Sequence, residues 1–449
     1  MEISNVNFDC QNPPSPQLID ACVHCGFCLS NCPSYRVIGK EMDSPRGRIY
    51  LMKAINQGEA SFDKVTTQHF DSCLGCLACV TICPSGVKYD QLIMSTRAQV
   101  ERNHPRSTYE QFIRAIIFNL FPYPNRLRVL LPFFWLYQKS QLQPFLQKLG
   151  ILKTISPHLA AMDSLLPQVN LSDIQQQYPT IIPAIGKRRY RVGMILGCVQ
   201  RLFFSEVNLA TIRVLSANGC EVVIPQSQGC CSALPAHQGK EKQAQELAKQ
   251  MIDSFAHSDT DYVIINAAGC GHTLKDYEHI LQDAEDSYRE KANQFSTKVR
   301  DIQEFLVEIG ITSALYPIAD EDLTIVYQDA CHLLHGQGIS AQPRDLLLQI
   351  PGIILKEPVD AALCCGSAGV FNMLQPQIAQ ELGQSKLDNL LQTGAQLIAS
   401  SNPGCSLQLS NTMRSQHREQ IPIKHPVELL DFSIRGVKLY PKIEKAQSQ

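Results

Sequence analysis

One cysteine pattern, present twice, limits what the N-terminal part of this chain can fold into. The run C-x2-C-x2-C-x3-C-P spans residues 22–33 and returns at residues 73–84. Three thiolates spaced two residues apart can wrap a short loop around the irons of a cubane, and in two-cluster ferredoxins the fourth cysteine serves the other cluster. The pattern therefore predicts two [4Fe–4S] clusters held by one small segment.

The expected ligand sets follow from this exchange of the fourth cysteines. Cluster one takes Cys22, Cys25, Cys28 and Cys83. Cluster two takes Cys73, Cys76, Cys79 and Cys32. A pair of zinc sites is the alternative, because C-x2-C is also a zinc spacing. The x3-C-P ending of both runs has no use in a zinc site, so clusters are favoured.

The cysteine count, the N-terminal residues and the net charge limit the cellular compartment and the classes of partner that can be expected. Eighteen cysteines are many for 449 residues, and the first residues, MEISNVNFDC, have neither the basic nor the apolar stretch of a signal peptide. We expect a cytoplasmic chain whose reduced thiols serve metal binding or redox chemistry. No apolar run reaches the roughly 18–20 residues of a transmembrane helix. A net charge of −2 provides no basic field for nucleic acid.

The C-terminal half reads as two copies of one unit. Cysteines of the first copy return in the second at a nearly constant offset, including a vicinal pair. Copy one holds Cys198, Cys230, Cys231 and Cys270, and copy two holds Cys331, Cys364, Cys365 and Cys405. Neutral burial is a poor explanation for eight cysteines in register. These eight are therefore candidates for a further iron–sulfur or other redox metal site.

The segments between these cysteines predict the fold of each copy. Apolar, β-branched runs precede the cysteines at 191–196, 262–266, 323–327 and 396–400, and shorter ones lie at 221–225 and 353–355. Helix-like segments at 240–254 and 376–391 alternate with them. Alternating strands and helices predict a parallel α/β sheet, in which ligands bind at the carboxyl ends of strands.

Together these features predict an α+β multidomain chain. A helical, ferredoxin-like domain with two [4Fe–4S] clusters is followed by two repeated α/β cysteine-rich domains with parallel sheets. The predicted boundaries are 1–104 for the ferredoxin-type domain, 105–186 for a helical linker or docking region, 187–315 for copy one and 316–449 for copy two.

The two copies differ at their vicinal pairs. Neighbouring side chains on an extended strand point to opposite faces, so vicinal cysteines share a site only where the backbone turns. Gly366 after Cys364–Cys365 allows that turn, whereas Ser232 after Cys230–Cys231 tolerates positive φ less well. Copy two is therefore the expected holder of any further cofactor.

Several other features leave alternatives open. The arginines of 44–48 could raise a cluster's potential, dock an acidic partner or form a surface salt bridge. The arginine- and aromatic-rich stretch 112–137 could lie on a membrane interface, but packing against another subunit is favoured. His332 and His335 could be ligands, quinone hydrogen-bond donors or exposed turn residues. Cys10 and Cys220 fit no pattern.

The quoted motifs resemble one family over nearly the whole chain. HCGFC in the first run, PRGRIYL between the two runs, CPSGVKY at the end of the second run and CCGSAGVFN in copy two are similar to the iron–sulfur subunits of glycolate oxidase (glycolate dehydrogenase). The resemblance implies FAD-containing partner subunits that oxidise glycolate to glyoxylate. It also implies that this chain passes the electrons on, with membrane quinone as the expected acceptor and peripheral contact with the membrane. The eight cysteines of the two runs are the implied [4Fe–4S] ligands.

The sequence agrees with a relay that does not act on substrate alone. It contains no G-x-G-x-x-G after a strand, no P-loop and no H-E-x-x-H, so no catalytic residue is assigned. The alternatives are the same role in an anaerobic glycerol-3-phosphate or lactate dehydrogenase complex, and a thiol–disulfide enzyme similar to heterodisulfide reductases. The repeats of that last family end in C-x-x-C, where this chain has Thr273 and Gln408, so its noncubane cluster does not carry over.

Overall fold

Short helices separated by cysteine-bearing loops form the N-terminal part of the computed structural model, which describes residues 8–170, 176–418 and 421–439. Proline occupies the first turn of several helices, where its missing N–H costs nothing. The helices are α1 Pro16–Asp20, α2 Pro33–Ile38, α3 Pro45–Asn56, α4 Lys64–Asp71, α5 Ala78–Thr81 and α6 Tyr89–Asn103, with a 3-10 turn at Glu41–Asp43.

The two cysteine runs end differently. Cys32 directly precedes α2, as expected of a fourth cysteine that starts a helix. Cys83 leads instead into a turn, and α6 begins only at Tyr89. Gly86, in the left-handed region at φ +62°, interrupts any helix that would start at Cys83.

Five helices form the segment that follows. They are α7 Thr108–Leu120, α8 Pro124–Lys139, α9 Leu142–Lys148, α10 Ile151–Ile155 and α11 Pro157–Ser164. A capping box between Ser107 and Glu110 fixes the start of α7. One face of α8 buries Leu127 and Leu131, and Phe133 on another face is exposed. Within the described ranges no helix is both long and apolar enough to cross a bilayer.

Copy one is built on a five-stranded sheet. Its strands are β1 Ile181–Ile182, β2 Tyr190–Met194, β3 Cys220–Val223, β4 Tyr262–Ile265 and β5 Val299–Asp301. They lie in the order β1-β3-β2-β4-β5, parallel except for β1. Its helices are α12 Gln200–Phe203, α13 Ser205–Ala217, α14 Ala233–Ala236, α15 Glu241–Phe255, α16 Ala268–Lys275, α17 Tyr277–Ile280, α18 Asp286–Lys298 and α19 Ile302–Ile309. Since β1 precedes residue 187, this sheet begins ahead of the boundary expected for copy one.

Copy two repeats the same strand order. Its strands are β6 Leu323–Gln328, β7 Ile353–Lys356, β8 Leu397–Ser400 and β9 Ile423–Lys424, all parallel in the order β7-β6-β8-β9. Its helices are α20 Cys331–Gln337, α21 Ala341–Leu348, α22 Phe371–Leu374, α23 Pro376–Leu391, α24 Pro403–Ser415 and α25 Pro426–Arg435. The order β3-β2-β4-β5 of copy one corresponds to β7-β6-β8-β9, so the predicted duplication and parallel sheets are confirmed.

The two copies share one apolar core. Residues of both sheets, including Val192, Ile264, Ile325 and Leu397, belong to a single buried cluster. Helix α13 of copy one packs on α25 of copy two, and Arg213 pairs with the buried Asp431 across that contact, with an N–O distance of 2.7 Å. The copies therefore form one body that presents its cysteine-bearing loops to the N-terminal helices.

Candidate iron–sulfur site

Four buried cysteines from both runs line one cavity beneath α2 and α5. Three come from the second run and one from the end of the first: Cys73, Cys76, Cys79 and Cys32. The N–H of Gly75 donates to Cys73 Sγ at 3.3 Å, and the hydroxyl of Tyr89 donates to the same sulfur at 3.6 Å. Donors aimed at sulfur are typical surroundings for a cluster thiolate. This cavity is called the inner cavity below.

A fully buried arginine stands beside the inner cavity. Arg48 donates through Nη2 to the hydroxyls of Ser34 and Ser72, at 3.0 and 2.9 Å, and through Nε to the carbonyl of His69 at 2.6 Å. The carboxylate of Asp43 lies 3.7 Å from Nη2. Burial opposes the charge, yet nearby thiols, Tyr89 and Asp43 raise the pKa of Arg48, so the guanidinium stays charged.

This charge acts on the cysteines of the inner cavity. Burial alone would raise the pKa of Cys73, but the cations of Arg48 and Arg97 bring that pKa below its usual value. Burial raises the pKa of Cys76 and Cys79 well above the usual value. A bound iron would have to displace those protons, because only the thiolate is a metal ligand.

The second cavity lies closer to the surface, beside the start of α3. Its lining contains Cys22, Cys25, Cys28 and Cys83, and Cys79 reaches it from the inner side. Cys25 is exposed, and Cys22, Cys28 and Cys83 are half-buried. Gly26, at φ +86°, leaves room for Arg46, since a Cβ there would lie 2.6 Å from its Nη1. Arg46 donates to the carbonyl of His24 at 3.2 Å. We call this space the outer cavity.

The two cavities match the chemistry of cubane clusters. A [4Fe–4S] cluster gives each thiolate its own iron, so the four sulfurs stand apart, whereas one zinc ion draws its ligands together. Among the described residues no group of three or more His, Cys, Asp or Glu side chains converges to hold a single metal ion. Four cysteines line the inner cavity and five line the outer one, with Cys79 shared, so each cavity has enough thiols for a four-iron cluster.

In copy one the predicted cysteines come together at the carboxyl ends of β2, β3 and β4. Side-chain hydrogen bonds link Cys198 to Cys230, Cys230 to Cys231 and Cys231 to Cys270. The hydrogen bonds from Cys230 and Cys270 hold the pKa of Cys231 well below its usual value. Ser232 adopts φ +67° and makes the turn after the vicinal pair. The turn that was expected to be less favourable with serine than with glycine is therefore present in copy one as well.

Copy two arranges its four cysteines in the same way. Side-chain hydrogen bonds link Cys331 to Cys364, Cys364 to Cys365 and Cys365 to Cys405. Gly366 makes the turn at φ +84°, and a Cβ there would lie 2.6 Å from the carbonyl of Ala379, so only glycine fits.

A buried lysine accompanies the cysteines of copy two. Lys386 is fully buried, and its Nζ donates to the carbonyl of Ala361 at 2.6 Å. Burial lowers the pKa of Lys386, while Asp329 and the nearby thiols, including those of Cys365 and Cys405, oppose that shift. A cation beside thiols favours their thiolate forms, but hydrogen bonding among the neighbouring thiols together with burial leaves the pKa of Cys364 and Cys365 well above the usual value.

Copy two also borders the inner cavity. The thiol of Cys76 interacts electrostatically with those of Cys331 and Cys364, and Cys76 packs with Cys364 in one buried cluster. The ring of His332 donates through Nε2 to the carbonyl of Gly75 at 3.0 Å. Neither His332 nor His335 is an exposed turn residue, because both lie in helix α20 and are half-buried. His335 also contacts Thr81 Oγ1 at 2.8 Å.

A stack of three imidazoles at this junction was not predicted. The ring centroid of His332 lies 4.8 Å from that of His237 and 5.2 Å from that of His272, with nearly parallel planes. Arg97 donates to the carbonyls of both His237 and Cys73 and ties copy one to the inner cavity. Burial and the neighbouring His272 lower the pKa of His332 to about 3, so its ring stays neutral. In the sequence, the one signal for this stack was that a histidine follows shortly after Cys270 and another directly after Cys331.

Thr273 and Gln408, which stand where the heterodisulfide reductase pattern has its last cysteine, make hydrogen bonds within the fold. Thr273 Oγ1 donates to the carbonyl of Gly269 at 3.1 Å. Gln408 accepts from Asn372 at 3.0 Å and donates to the carbonyl of Ala379 at 2.9 Å. Cys10 is exposed, and Cys220 is buried in the core shared by the two copies.

Known families account for most of the chain. Residues 18–87 match the 4Fe-4S dicluster domain, and residues 192–275 and 325–410 each match the cysteine-rich domain. Residues 109–166 match the linker region of the glycolate oxidase iron–sulfur subunit. These matches bear out the predicted iron–sulfur clusters and the duplicated cysteine-rich units.

Two curated relatives match most of this chain, and a third matches 54% of it. The chain is 40% identical over 390 residues to the probable glycolate oxidase iron–sulfur subunit of Bacillus subtilis (strain 168), covering 86% of this chain and 87% of the relative. It is 31% identical over 410 residues to the glycolate oxidase iron–sulfur subunit of Escherichia coli (strain K12), covering 90% and 93%. Lactate utilization protein A of an Exiguobacterium species is 27% identical over 249 residues, covering 54% of this chain and 98% of the relative.

Proposed function

The chain belongs to the family of glycolate oxidase iron–sulfur subunits, and we propose that it carries electrons from FAD-containing partner subunits, which oxidise glycolate to glyoxylate, to a quinone. It is a component of an oxidoreductase complex. When bound, a [4Fe–4S] cluster takes up and passes on one electron at a time. The proposal depends chiefly on the continuous line from the half-exposed outer cavity, through the inner cavity, to the thiols of copy two.

We assign the cluster ligands by cavity. Cys22, Cys25, Cys28 and Cys83 hold cluster one in the outer cavity, and Cys73, Cys76, Cys79 and Cys32 hold cluster two in the inner cavity. Support comes from the lining of the two cavities. Arg46 and Arg48 place one positive charge beside each cavity, and such charges favour the reduced, more negative state of a cluster.

The units have separate tasks in this proposal. Residues 1–104 hold the two clusters, residues 105–186 apart from strand β1 dock the partner subunits, and copies one and two, 187–315 and 316–449, close over the inner cavity. We place the chain in a reducing, cytoplasmic location, which would keep its cysteines available to iron. Delivery of electrons to a lipid-soluble quinone requires peripheral contact with the membrane.

The purified chain alone is expected to reduce no dye when glycolate is added. Within the described residues it offers the two cavities for one-electron carriers, while glycolate oxidation releases two electrons together. Adding the flavin-containing partners restores dye reduction, measured as glycolate-dependent bleaching under anaerobic conditions. The control is chemical reduction of the chain alone, which should bleach its cluster absorbance. Glycolate-dependent reduction by the chain alone would contradict the relay.

Iron content tests whether copy two holds a further cofactor. We expect anaerobically purified Cys365→Ser to contain less iron and sulfide per chain than wild type, because its thiol lies within the site next to the inner cavity. Cys231→Ser, the matching change in copy one, should keep the wild-type content. About eight irons in all three proteins, the sum of two four-iron clusters, would show that the copies hold none. Loss only in Cys231→Ser would reverse the ranking of the copies.

A further inference from the structure

A third cavity, of about 380 Å³, lies between the linker helices and the cysteine loops of both copies. Its walls are aliphatic and aromatic side chains of α7, α8 and α11, among them Leu120, Leu130 and Phe134. Its size falls within the roughly 300–1,000 Å³ of small-molecule sites. We call it the linker cavity.

The floor of the linker cavity is made by residues next to the cysteines of the two copies. Val199 follows Cys198 of copy one, while Ser367 and Gly404 flank the cysteines of copy two in sequence. A molecule in this cavity would therefore touch residues that lie within two positions of Cys198, Cys365 and Cys405 in the sequence.

Two polar groups at this floor lack partners. Within the described residues, neither Ser367 Oγ nor Asn372 Oδ1 has a hydrogen-bond partner, although the two side chains are 1% and 5% exposed. The Asn372 amide is oriented by its donation to Gln408 Oε1 at 3.0 Å. A buried polar atom without a partner costs about 1–3 kcal/mol, so these two atoms are suited to a ligand that pairs with them.

The charge of the lining excludes an acidic ligand. Among its described residues the linker cavity has no Lys, Arg or His, and its one carboxylate, Asp163, already accepts from Tyr137 at 3.0 Å. Carboxylates are recognised by arginine and lysine, so glycolate would find no counter-ion here. A neutral ligand with an apolar body and polar oxygens fits.

We propose that the linker cavity binds the lipid-soluble quinone that accepts electrons from this chain. The hydroxyl of Ser367 donates to a quinone carbonyl, and Asn372 Oδ1 accepts from the O–H of the hydroquinone, while the apolar walls cover the ring and the start of its tail. The inference rests on the proposed function. Oxidation of glycolate to glyoxylate releases two electrons and two protons. The quinone takes up two electrons through the relay and two protons from solvent, and becomes the hydroquinone.

Photolabelling tests the site without turnover. An azido-substituted ubiquinone analogue with a decyl tail, photolysed with the complete complex, should label peptides of α7, α8 and residues 367–373 of this chain. Ser367→Ala removes one hydrogen bond and should weaken labelling by roughly fivefold. Leu130→Trp fills the cavity and should abolish labelling, whereas Leu348→Trp, an exposed leucine on α21, should label as wild type does.

A kinetic ratio provides the second readout. In Leu130→Trp the rate of decylubiquinone reduction divided by the rate of dye reduction should fall about tenfold or more, since only the quinone needs the cavity. An unchanged ratio, or labelling confined to other segments, would overturn the inference and leave the proposed function standing. Failure of the wild-type complex to reduce dye with glycolate would count against the proposed function, and labelling would still decide the cavity.

Discussion

Replacing Cys32 with serine should remove or strongly alter the EPR signal of the cluster held by Cys73, Cys76 and Cys79, while the signal of the other cluster stays. The sulfur of Cys32 lies in the inner cavity and contacts Ser34 Oγ at 3.3 Å, although its own run supplies the outer cavity. Loss of one thiolate from four leaves an iron without its protein ligand. The measurement is EPR of the dithionite-reduced protein.

Two companion variants make this experiment decisive. Cys83→Ser should produce the mirror image, a change in the cluster of Cys22, Cys25 and Cys28, because Cys83 lines the outer cavity. Cys10→Ser, an exposed cysteine outside both cavities, should leave the two signals as in wild type. If Cys32→Ser altered only the cluster of its own run, the exchange of fourth cysteines would be wrong.

Replacing Arg48 with methionine should destabilise the N-terminal part by at most about 3–5 kcal/mol, because the buried carboxylate of Asp43 loses a charged neighbour and keeps only its contacts with His69 and Ser72. The hydroxyls of Ser34 and Ser72 lose a charged donor as well. Removing a positive charge also lowers the reduction potential of the cluster in the inner cavity. Loss of cluster absorbance during denaturant titration measures the first effect, and EPR-monitored potentiometry measures the second.

Arg46 offers the matched control for Arg48. Its side chain is 30% exposed and its partner Glu41 is 41% exposed, so Arg46→Met should cost at most about 1 kcal/mol. It should shift the potential of the outer cluster more than that of the inner one. Equal destabilisation by Arg46→Met and Arg48→Met would show that burial of the Arg48 pair contributes nothing.

Local sequence patterns predicted most of the fold. The strands expected at 191–196, 262–266 and 323–327 are present, with ends within one or two residues of the expected ones. A short apolar run before a loop can be recognised from adjacent residues in the sequence alone. The repeat emerged from cysteine spacing, and the strand order of the two sheets confirms it. The turn after each vicinal cysteine pair was harder to predict from one residue. Ser232 adopts the same left-handed conformation as Gly366, although serine tolerates it less well.

The surroundings of the clusters could not be predicted in the same way. The histidine stack joins residues of the two copies, and the contact of His332 with Gly75 spans more than half of the chain. The sequence left open whether Arg48 lies beside a cluster or on the surface, and its partners come from α2, α4 and the 3-10 turn. Such contacts depend on how folded units pack, and no local spacing encodes them.

The burial of the inner cavity has a consequence for biosynthesis. Copy two covers one wall of that cavity, and Arg97 fastens copy one to the loop of Cys73. If the inner cavity holds a cluster, iron and sulfide would have to enter it before the C-terminal half of the chain packs over it. We therefore expect an order of maturation, in which the inner cluster is assembled first and the more accessible outer cluster can be filled or repaired later.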